Sequence, residues 1–418
     1  MTTEPSASEY DGIRVAFEEG DYDTVISRVR DAMTTDPIGA IADPTINQWL
    51  GIRFRNIFIE EAANNEDAVK ASRAPFPFRL IDSKVGKARV AARMIKDFDP
   101  AELELDLPPA QMGTTDNTTI VFVPGLLTGM LGIAFEKVFP VVVERFGVKI
   151  IGADVHPFRG CEANVSDIEK AVEQGLGRKP ELKAPLITEQ DNPTPPKEVI
   201  LIGYSKGGPD ILTFLVARPD LAPKVKAVMG WAGANGGSWL ADGMYEQAKA
   251  IPSFDTLQKT ATGLSVILKT VYPFISLGGF QDRPDEVDIL GAMKDLTTTE
   301  REAFLAEHAQ EISDLGIPQF TFSGATTSLD VPAFQLQGYR DLAKHDQDND
   351  MQLTQAEAAM PADNAPHLAM FHANHWDLSY DSFPWADSLR DVRTSLPFAR
   401  EPAMCAIVLF MSEIGLLT

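Results

Sequence analysis

The sequence has few cysteines, no long hydrophobic run and a deficit of basic residues. Cys161 and Cys405 are the only cysteines in 418 residues, which excludes a disulfide framework and allows one bridge at most. No stretch of about 18 uncharged apolar residues occurs, so no transmembrane helix is predicted. Lys and Arg total 37 against 60 Asp and Glu, for a net charge of −23. A field of that sign repels phosphate backbones and argues against a nucleic-acid partner.

Length and composition indicate an ordinary globular protein. The chain is 44% hydrophobic and 23% charged, values typical of a folded protein with one large domain or two units. The first residues are acidic and polar, without the basic and apolar regions of a signal peptide, so we expect a cytoplasmic location. A secreted protein that had lost its leader would begin in the same way. The sequence carries no signal for oligomeric state.

Hydrophobic periodicity divides the chain into two regions. Residues 1–106 predict a helical N-terminal region, with helices that include 44–62 and 83–98. In residues 107–418, short continuous apolar runs alternate with helical segments, and such runs are typical of strands buried on both faces of a parallel sheet. We therefore predict an α/β fold. Its strands include 120–123, 149–155, 199–202, 225–229, 319–322 and 367–371, and its helices 132–145, 164–176, 207–218, a block at 240–313 and a buried closing helix at 401–417.

The sharpest motif is Gly203-Tyr204-Ser205-Lys206-Gly207, which matches G-x-S-x-G. It follows the strand predicted at 199–202 and precedes an apolar helical run, which is the strand–turn–helix setting that the motif requires. A serine at the apex of so sharp a turn brings the residues two before and two after it close together, so glycine is needed at both positions. A phosphate-binding glycine loop is the alternative, but the P-loop spacing is absent.

With this motif in that setting, residues 119–418 resemble the α/β-hydrolase superfamily, and in particular its lipase-like and esterase-like members. The resemblance implies a mostly parallel sheet flanked by helices, with Ser205 as the nucleophile. It also implies an oxyanion hole formed by the backbone N–H groups of Lys206 and Leu126, with Leu127 as the alternative to Leu126.

In this superfamily the acid and then the histidine follow the serine along the chain. His375 lies past the last predicted strand in a polar loop and is the favoured base, with His372 as the alternative. Asp350 is the favoured acid, because residues 349–353 are similar to the Asn-Asp-Gly-hydrophobic pattern of some lipase-like members, with Met in place of Gly. Asp330 is the alternative acid, but it lies farther from His375 along the chain and would require an insertion.

The acidic segment 346–357 has a second interpretation. Its Asp, Gln, Thr and Glu residues fall at the ligand positions of an EF-hand calcium loop, but Met351 stands where that loop requires glycine. A solvated acidic loop is the simpler interpretation. His372 and His375 have the spacing of a zinc pair, but no third ligand is evident. We therefore predict neither a metal nor another cofactor.

The resemblance implies a serine hydrolase that cleaves carboxylic esters through a Ser-His-Asp triad and an acyl-enzyme. The segment 232–313 corresponds to a helical cap insertion, and its apolar stretch at 264–277 would give the site an apolar wall. We therefore expect a small-molecule or polymeric ester substrate with an apolar portion. A thioesterase, amidase or lactonase with the same triad, and a non-catalytic scaffold on the same fold, are the alternatives.

Overall fold

A single sheet forms the centre of the protein. The computed structural model describes residues 8–73, 83–126, 135–181, 184–251, 254, 283–331, 335–379 and 398–418, and in these ranges eight strands join one sheet. The strands are β1 (Thr118–Val123), β2 (Lys149–Gly152), β3 (Gly177–Arg178), β4 (Leu186–Ile187), β5 (Glu198–Ser205), β6 (Val225–Gly233), β7 (Gln319–Gly324) and β8 (His367–Phe371). Their order is β4-β3-β2-β1-β5-β6-β7-β8. The six strands from β2 to β8 in this order are parallel, so the predicted parallel sheet is confirmed.

One edge of the sheet departs from the prediction. The sequence does not predict β3 and β4, which are two residues long and pair in antiparallel fashion beside β2. β2 itself ends at Gly152, whereas the apolar run continues to Val155. Strands as short as β3 and β4 contain too few residues to produce a recognisable hydrophobic period.

The strands bury side chains on both faces of the sheet. Val121, Leu201 and Val228 are neighbours across β1, β5 and β6, and they belong to one hydrophobic cluster. Ile120 and Ile200, the adjacent residues of β1 and β5, belong to the other cluster. Because successive side chains of a strand point to opposite faces, a strand covered on both sides must be apolar throughout. This explains the continuous apolar runs in the sequence.

Helices cover both faces. One face carries α8 (Cys161–Gln174), α9 (Gly207–Ala217) and α12 (Thr298–Asp314). The other carries α1 (Ser8–Glu19), α2 (Tyr22–Thr35), α3 (Pro37–Ala42), α4 (Pro44–Ala63), α5 (Glu66–Ala71), α6 (Gly86–Met94), α7 (Phe135–Phe146) and α15 (Arg400–Glu413). After β6 and β7 the chain also forms α10 (Trp239–Lys249), α11 (Ile289–Lys294), α13 (Leu336–Leu342) and α14 (Gln355–Ala358). The apolar stretch at 264–277 lies outside the described residues.

Local signals explain where the N-terminal helices begin. The side chain of Asp43 accepts hydrogen bonds from the backbone N–H groups of Thr45 and Ile46, and Pro44 occupies the first turn of α4. An Asp cap followed by proline is a strong helix start, which explains why the helix predicted at 44–62 forms nearly within those bounds. The division of the chain into residues 1–106 and 107–418 stays a prediction. Among the described helices, none has the length and apolar character needed to cross a membrane.

The predicted closing helix, α15, is buried along nearly its whole length. Phe410 lies edge-on to Phe54 of α4 and to Phe320 of β7, with ring centroids 5.7 and 6.2 Å apart. Arg53 of α4 donates two hydrogen bonds, of 2.6 and 2.5 Å, to the carboxylate of Glu413, and both side chains are buried. α15 therefore joins the sheet to the N-terminal helices.

Candidate active site

The turn between β5 and α9 places Ser205 at the carboxyl end of the sheet. β5 ends at Ser205, whose φ is 52°, and α9 begins two residues later at Gly207. A Cβ on Gly203 would lie 2.6 Å from the carbonyl O of Gly207, and a Cβ on Gly207 would lie 2.0 Å from the carbonyl O of Val123. The left-handed serine and the glycine at 203 therefore follow from the tight turn, whereas the glycine at 207 is required by the close approach of β1.

The loop after β1 passes directly beside this turn. A Cβ on Gly125 would lie 2.8 Å from the Cβ of Ser205, so only glycine permits so close an approach. The next residue, Leu126, lines the same cleft as Ser205. The structure therefore brings both predicted oxyanion segments, at Leu126 and at Lys206, next to the serine. Leu127, the alternative donor, lies outside the described residues.

The side chain of Lys206 is buried, which the sequence does not predict. Its Nζ donates a 2.6 Å hydrogen bond to Oδ1 of Asp210, one turn along α9, and both side chains are 1% exposed. The amide of Asn164 on α8 donates to the other oxygen of Asp210. Burial opposes the charge of Lys206, but the attraction and hydrogen bond of Asp210, together with the nearby Cys161 and Asp295, outweigh it and raise the pKa of Lys206. This buried ion pair anchors the first turn of α9 immediately after Ser205.

His375 is held against Asp350 by side chain and backbone. Its Nδ1 lies 2.7 Å from Oδ2 of Asp350, and its backbone N–H donates to the carbonyl O of Asp350 at 2.8 Å. Both side chains are at most 2% exposed. The opposite ring nitrogen, Nε2, has no hydrogen-bond partner within the described structure, and His375 lines the cleft together with Ser205. A histidine oriented at Nδ1 and unpartnered at Nε2 is arranged to accept a proton from a group in the cleft.

Tyr204 links His375 to the strand that carries Ser205. The two rings are stacked with centroids 5.1 Å apart, and the hydroxyl of Tyr204 donates a 2.9 Å hydrogen bond to the carbonyl O of His375. The contact joins residues 171 positions apart. Sequence reasoning missed this role, because the middle positions of G-x-S-x-G carry no signal for it.

Asp330, the alternative acid, lies beside the alternative histidine. Oδ2 of Asp330 is 3.7 Å from Nε2 of His372, and it also accepts a hydrogen bond from the hydroxyl of Thr327. Burial acts to raise the pKa of Asp330, but the nearby His372 and the hydrogen bond from Thr327 outweigh it and lower the pKa. The structure therefore forms two separate His–Asp pairs, and the one that contains Asp350 faces the cleft of Ser205.

In the acidic segment 346–357 the carboxylates of Asp346, Asp350 and Glu357 accept hydrogen bonds from backbone N–H groups, whereas that of Asp348 pairs with Lys96. Oδ1 of Asp350 accepts from the N–H groups of Gln352 and Leu353, and the carboxylate of Asp346 accepts from two other backbone N–H groups. Met351 adopts a φ of 74°, the left-handed conformation that glycine adopts most easily. In the part of the chain that the structure describes, no three His, Cys, Asp or Glu side chains form a metal-binding group.

Glu357 closes this segment and connects it to α10. Its carboxylate accepts hydrogen bonds from the backbone N–H groups of Thr354 and Trp239, the first residue of α10. Burial raises the pKa of Glu357 from 4.5 to about 7. The protonation state of Glu357 therefore affects its hydrogen bond to Trp239, which positions α10 in the wall of the cleft.

The cleft has a cavity volume of about 50 Å³ and is open to solvent at its mouth. Helices α10 and α11 supply much of one wall, and the end of β5 and the loops after β1, β6, β7 and β8 supply the rest. The wall is mostly apolar, and a mostly apolar cleft with a few convergent polar groups is typical of a small-molecule site. Its residues are Leu126, Tyr204, Ser205, Ala234, Ser238, Leu240, Ala241, Met244, Met293, Leu296, Gln352, Leu353, His375 and Trp376.

The parallel sheet, the helices on both faces and the serine at the β5–α9 turn define the α/β-hydrolase fold, which this chain has. Among solved structures, the metagenomic carboxyl esterase MGS0156 is similar to it, with a TM-score of 0.57 and 21% identity over 86% of this chain and 91% of the esterase. The mature lipase BlEst2 of Bacillus licheniformis matches with a TM-score of 0.41 and 18% identity, over 64% of this chain and 89% of the lipase. The Staphylococcus hyicus lipase matches with a TM-score of 0.44 and 14% identity, over 73% of this chain and 98% of the lipase.

No protein-family model matches the sequence, and no curated protein matches it significantly. The expectation of an α/β-hydrolase fold, drawn from the G-x-S-x-G motif and its setting, is confirmed by the structural comparison. The activity has to be argued from the site itself.

Proposed function

We propose that this protein is a serine hydrolase that cleaves carboxylic esters, with Ser205 as nucleophile, His375 as base and Asp350 as the orienting acid. The observation that carries the proposal is the buried His375–Asp350 pair, whose unpartnered Nε2 belongs to a cleft shared with Ser205. A strained serine at the start of a helix, beside an oriented imidazole, is the arrangement that nucleophilic catalysis requires. The similarity to a carboxyl esterase favours an ester as the substrate.

The first half of the reaction forms an acyl-enzyme. Oγ of Ser205 attacks the carbonyl carbon of the ester while its proton passes to Nε2 of His375. The carbonyl oxygen becomes an oxyanion, which accepts hydrogen bonds from the backbone N–H groups of Lys206 and Leu126. The bond to the alcohol then breaks, and the alcohol oxygen takes the proton from His375.

The second half returns the enzyme to its starting state. A water molecule gives its proton to His375 and attacks the acyl carbon, and the same two N–H groups stabilise the second oxyanion. When the bond to Oγ breaks, His375 returns the proton to Ser205 and the carboxylic acid leaves. Asp350 keeps the proton of Nδ1 in place throughout and stabilises the transient imidazolium.

The cleft favours an acyl or alcohol group with an apolar portion. Leu240, Ala241 and Met244 on α10, together with Met293 and Leu296 at α11, line it together with Ser205 and His375. All five belong to the segment 232–313, which we propose acts as a cap over the site. An apolar wall excludes water and binds hydrocarbon by burial of its surface.

The test compares Ser205→Ala with Ser238→Ala, because both serines line the same cleft. We expect a fluorophosphonate probe to label the wild type and Ser238→Ala but not Ser205→Ala. We also expect hydrolysis of p-nitrophenyl butyrate to fall by about 10⁴-fold or more in Ser205→Ala only. A matched thioester and anilide distinguish ester cleavage from thioesterase and amidase activity. A wild type that is neither labelled nor active on any of these substrates would support a scaffold instead.

A further inference from the structure

Gln352 brings an amide group to the cleft beside the catalytic residues. Its backbone is fixed at both ends, because its N–H donates to Oδ1 of Asp350 at 2.9 Å and its carbonyl O accepts from the hydroxyl of Ser238 at 2.6 Å. Gln352 lines the same cleft as Ser205 and His375. Its Nε2 is buried and has no hydrogen-bond partner in the described structure.

The amide N–H of Gln352 is available to a hydrogen-bond acceptor in the cleft, because no described residue accepts from it. A buried N–H that has left water without finding an acceptor destabilises the state that contains it. In the described cleft Leu240, Leu353 and Trp376 present mostly apolar surface, and Nε2 of Gln352 forms no hydrogen bond to the polar lining residues Ser205, Ser238 or His375. An oxygen of a molecule bound in the cleft would supply the acceptor that this N–H group lacks among the described residues.

We propose that Gln352 is a specificity-determining residue that donates a hydrogen bond from Nε2 to a second oxygen of the substrate, close to the scissile ester. The inference rests on the proposed ester hydrolase function and narrows its substrate class. It favours esters that carry a further hydroxyl, ether or carbonyl oxygen near the reacting group, as polyol esters and polyesters do, over purely hydrocarbon esters. A site that offers a polar partner discriminates against a substrate that leaves the partner unpaired.

The experiment uses esters that differ only by an oxygen in place of a methylene group. Butyl butyrate and 2-methoxyethyl butyrate test the alcohol side, while methyl pentanoate and methyl 3-methoxypropanoate test the acyl side. In the wild type we expect kcat/KM to favour the oxygen-containing ester of at least one pair by about three- to tenfold, the range of one net hydrogen bond. In Gln352→Met, which keeps the length of the side chain, we expect that ratio to fall to about one.

Controls separate the role of the amide from a general effect on the fold. Gln337→Met changes an exposed glutamine of α13 that does not line the cleft, and it should keep the wild-type ratio. Gln352→Glu offers an acceptor in place of a donor and should also lose the preference, so a failure of one variant to fold does not remove the test.

The outcomes distinguish this inference from the proposed function. Equal rates within both ester pairs in the wild type, or the same preference in wild type and Gln352→Met, would overturn the inference and leave a Ser205-dependent esterase. If the wild type hydrolyses none of the four esters, or hydrolyses them without Ser205, the proposed function and this inference fail together.

Discussion

Replacing Asp350 by Asn tests the assignment of the acid, because the structure dictates how the new amide must orient. Oδ1 of Asp350 accepts hydrogen bonds from the N–H groups of Gln352 and Leu353 at 2.9 and 2.7 Å. In Asp350→Asn these donors retain the amide oxygen at that position, and the NH₂ group is left facing Nδ1 of His375. Nδ1 then has to accept a hydrogen bond, so the proton of the ring moves to Nε2, the atom that must be free to take the proton of Ser205.

We expect this tautomer change to lower kcat by about 10⁴-fold, the effect of an Asp-to-Asn change in a serine protease triad. At 1.36 kcal/mol per tenfold, the transition state would lose about 5 kcal/mol of stabilisation. Steady-state hydrolysis of p-nitrophenyl butyrate measures it, and urea unfolding checks that the variant folds. The matched control is Asp330→Asn, which alters the pair with His372 and should stay within a few-fold of the wild type.

Two results would refute this reasoning. A folded Asp350→Asn variant with more than about a tenth of the wild-type kcat would mean that Asp350 does not set the tautomer of His375. A loss of activity confined to Asp330→Asn would transfer the role of the acid to Asp330 and the role of the base to His372.

Three further predictions concern the turn, the histidine and the acidic segment. Tyr204→Phe keeps the ring against His375 but removes the hydrogen bond to its carbonyl, so kcat should fall about three- to tenfold with KM nearly unchanged. Gly207→Ala forces a methyl group within 2.0 Å of a β1 carbonyl and should lower both the unfolding midpoint and activity, whereas Gly243→Ala, with open space around it, should do neither. Glu357 has a pKa of about 7 in the folded protein against a reference value of 4.5. Its protonated carboxyl group therefore stabilises the folded state below pH 4.5, and this stabilisation is lost as the pH rises through 7. Glu357→Gln should remove that loss. The free energy of unfolding of the variant, measured with urea and compared with that of the wild type, should therefore rise by about 3 kcal/mol between about pH 4.5 and pH 8.

Much of the fold could be predicted because its strands are buried on both faces. That environment requires continuous apolar sequence, and all six predicted runs form strands of the sheet. The edge strands β3 and β4 could not be predicted, since two residues paired at an edge need no hydrophobic pattern. The buried α15 was predictable for the same reason as the strands, but its ion pair between Arg53 and Glu413 depends on a contact that no local pattern encodes.

The candidate site also has parts that the sequence predicts and parts that it does not. The position of Ser205 at a tight strand–helix turn could be predicted because glycines flank it, although the crowding of Gly207 comes from β1 rather than from Gly203. Asp350 and Asp330 could not be separated firmly by spacing, because the choice depends on which histidine each carboxylate meets in three dimensions. The contact of Tyr204 with His375 could not be predicted, since it joins distant parts of the chain and no local sequence pattern encodes it.

The contact between α4 and α15 has a consequence for how the protein is made. Arg53 and Glu413 are 360 residues apart, and the ring of Phe54 meets that of Phe410 across the same contact. A ribosome releases α4 early, so its apolar side has no covering helix until almost the whole of this sequence has been translated. Over that interval the nascent chain exposes a surface that favours aggregation. Chaperone supply and translation speed should therefore affect the yield of folded protein.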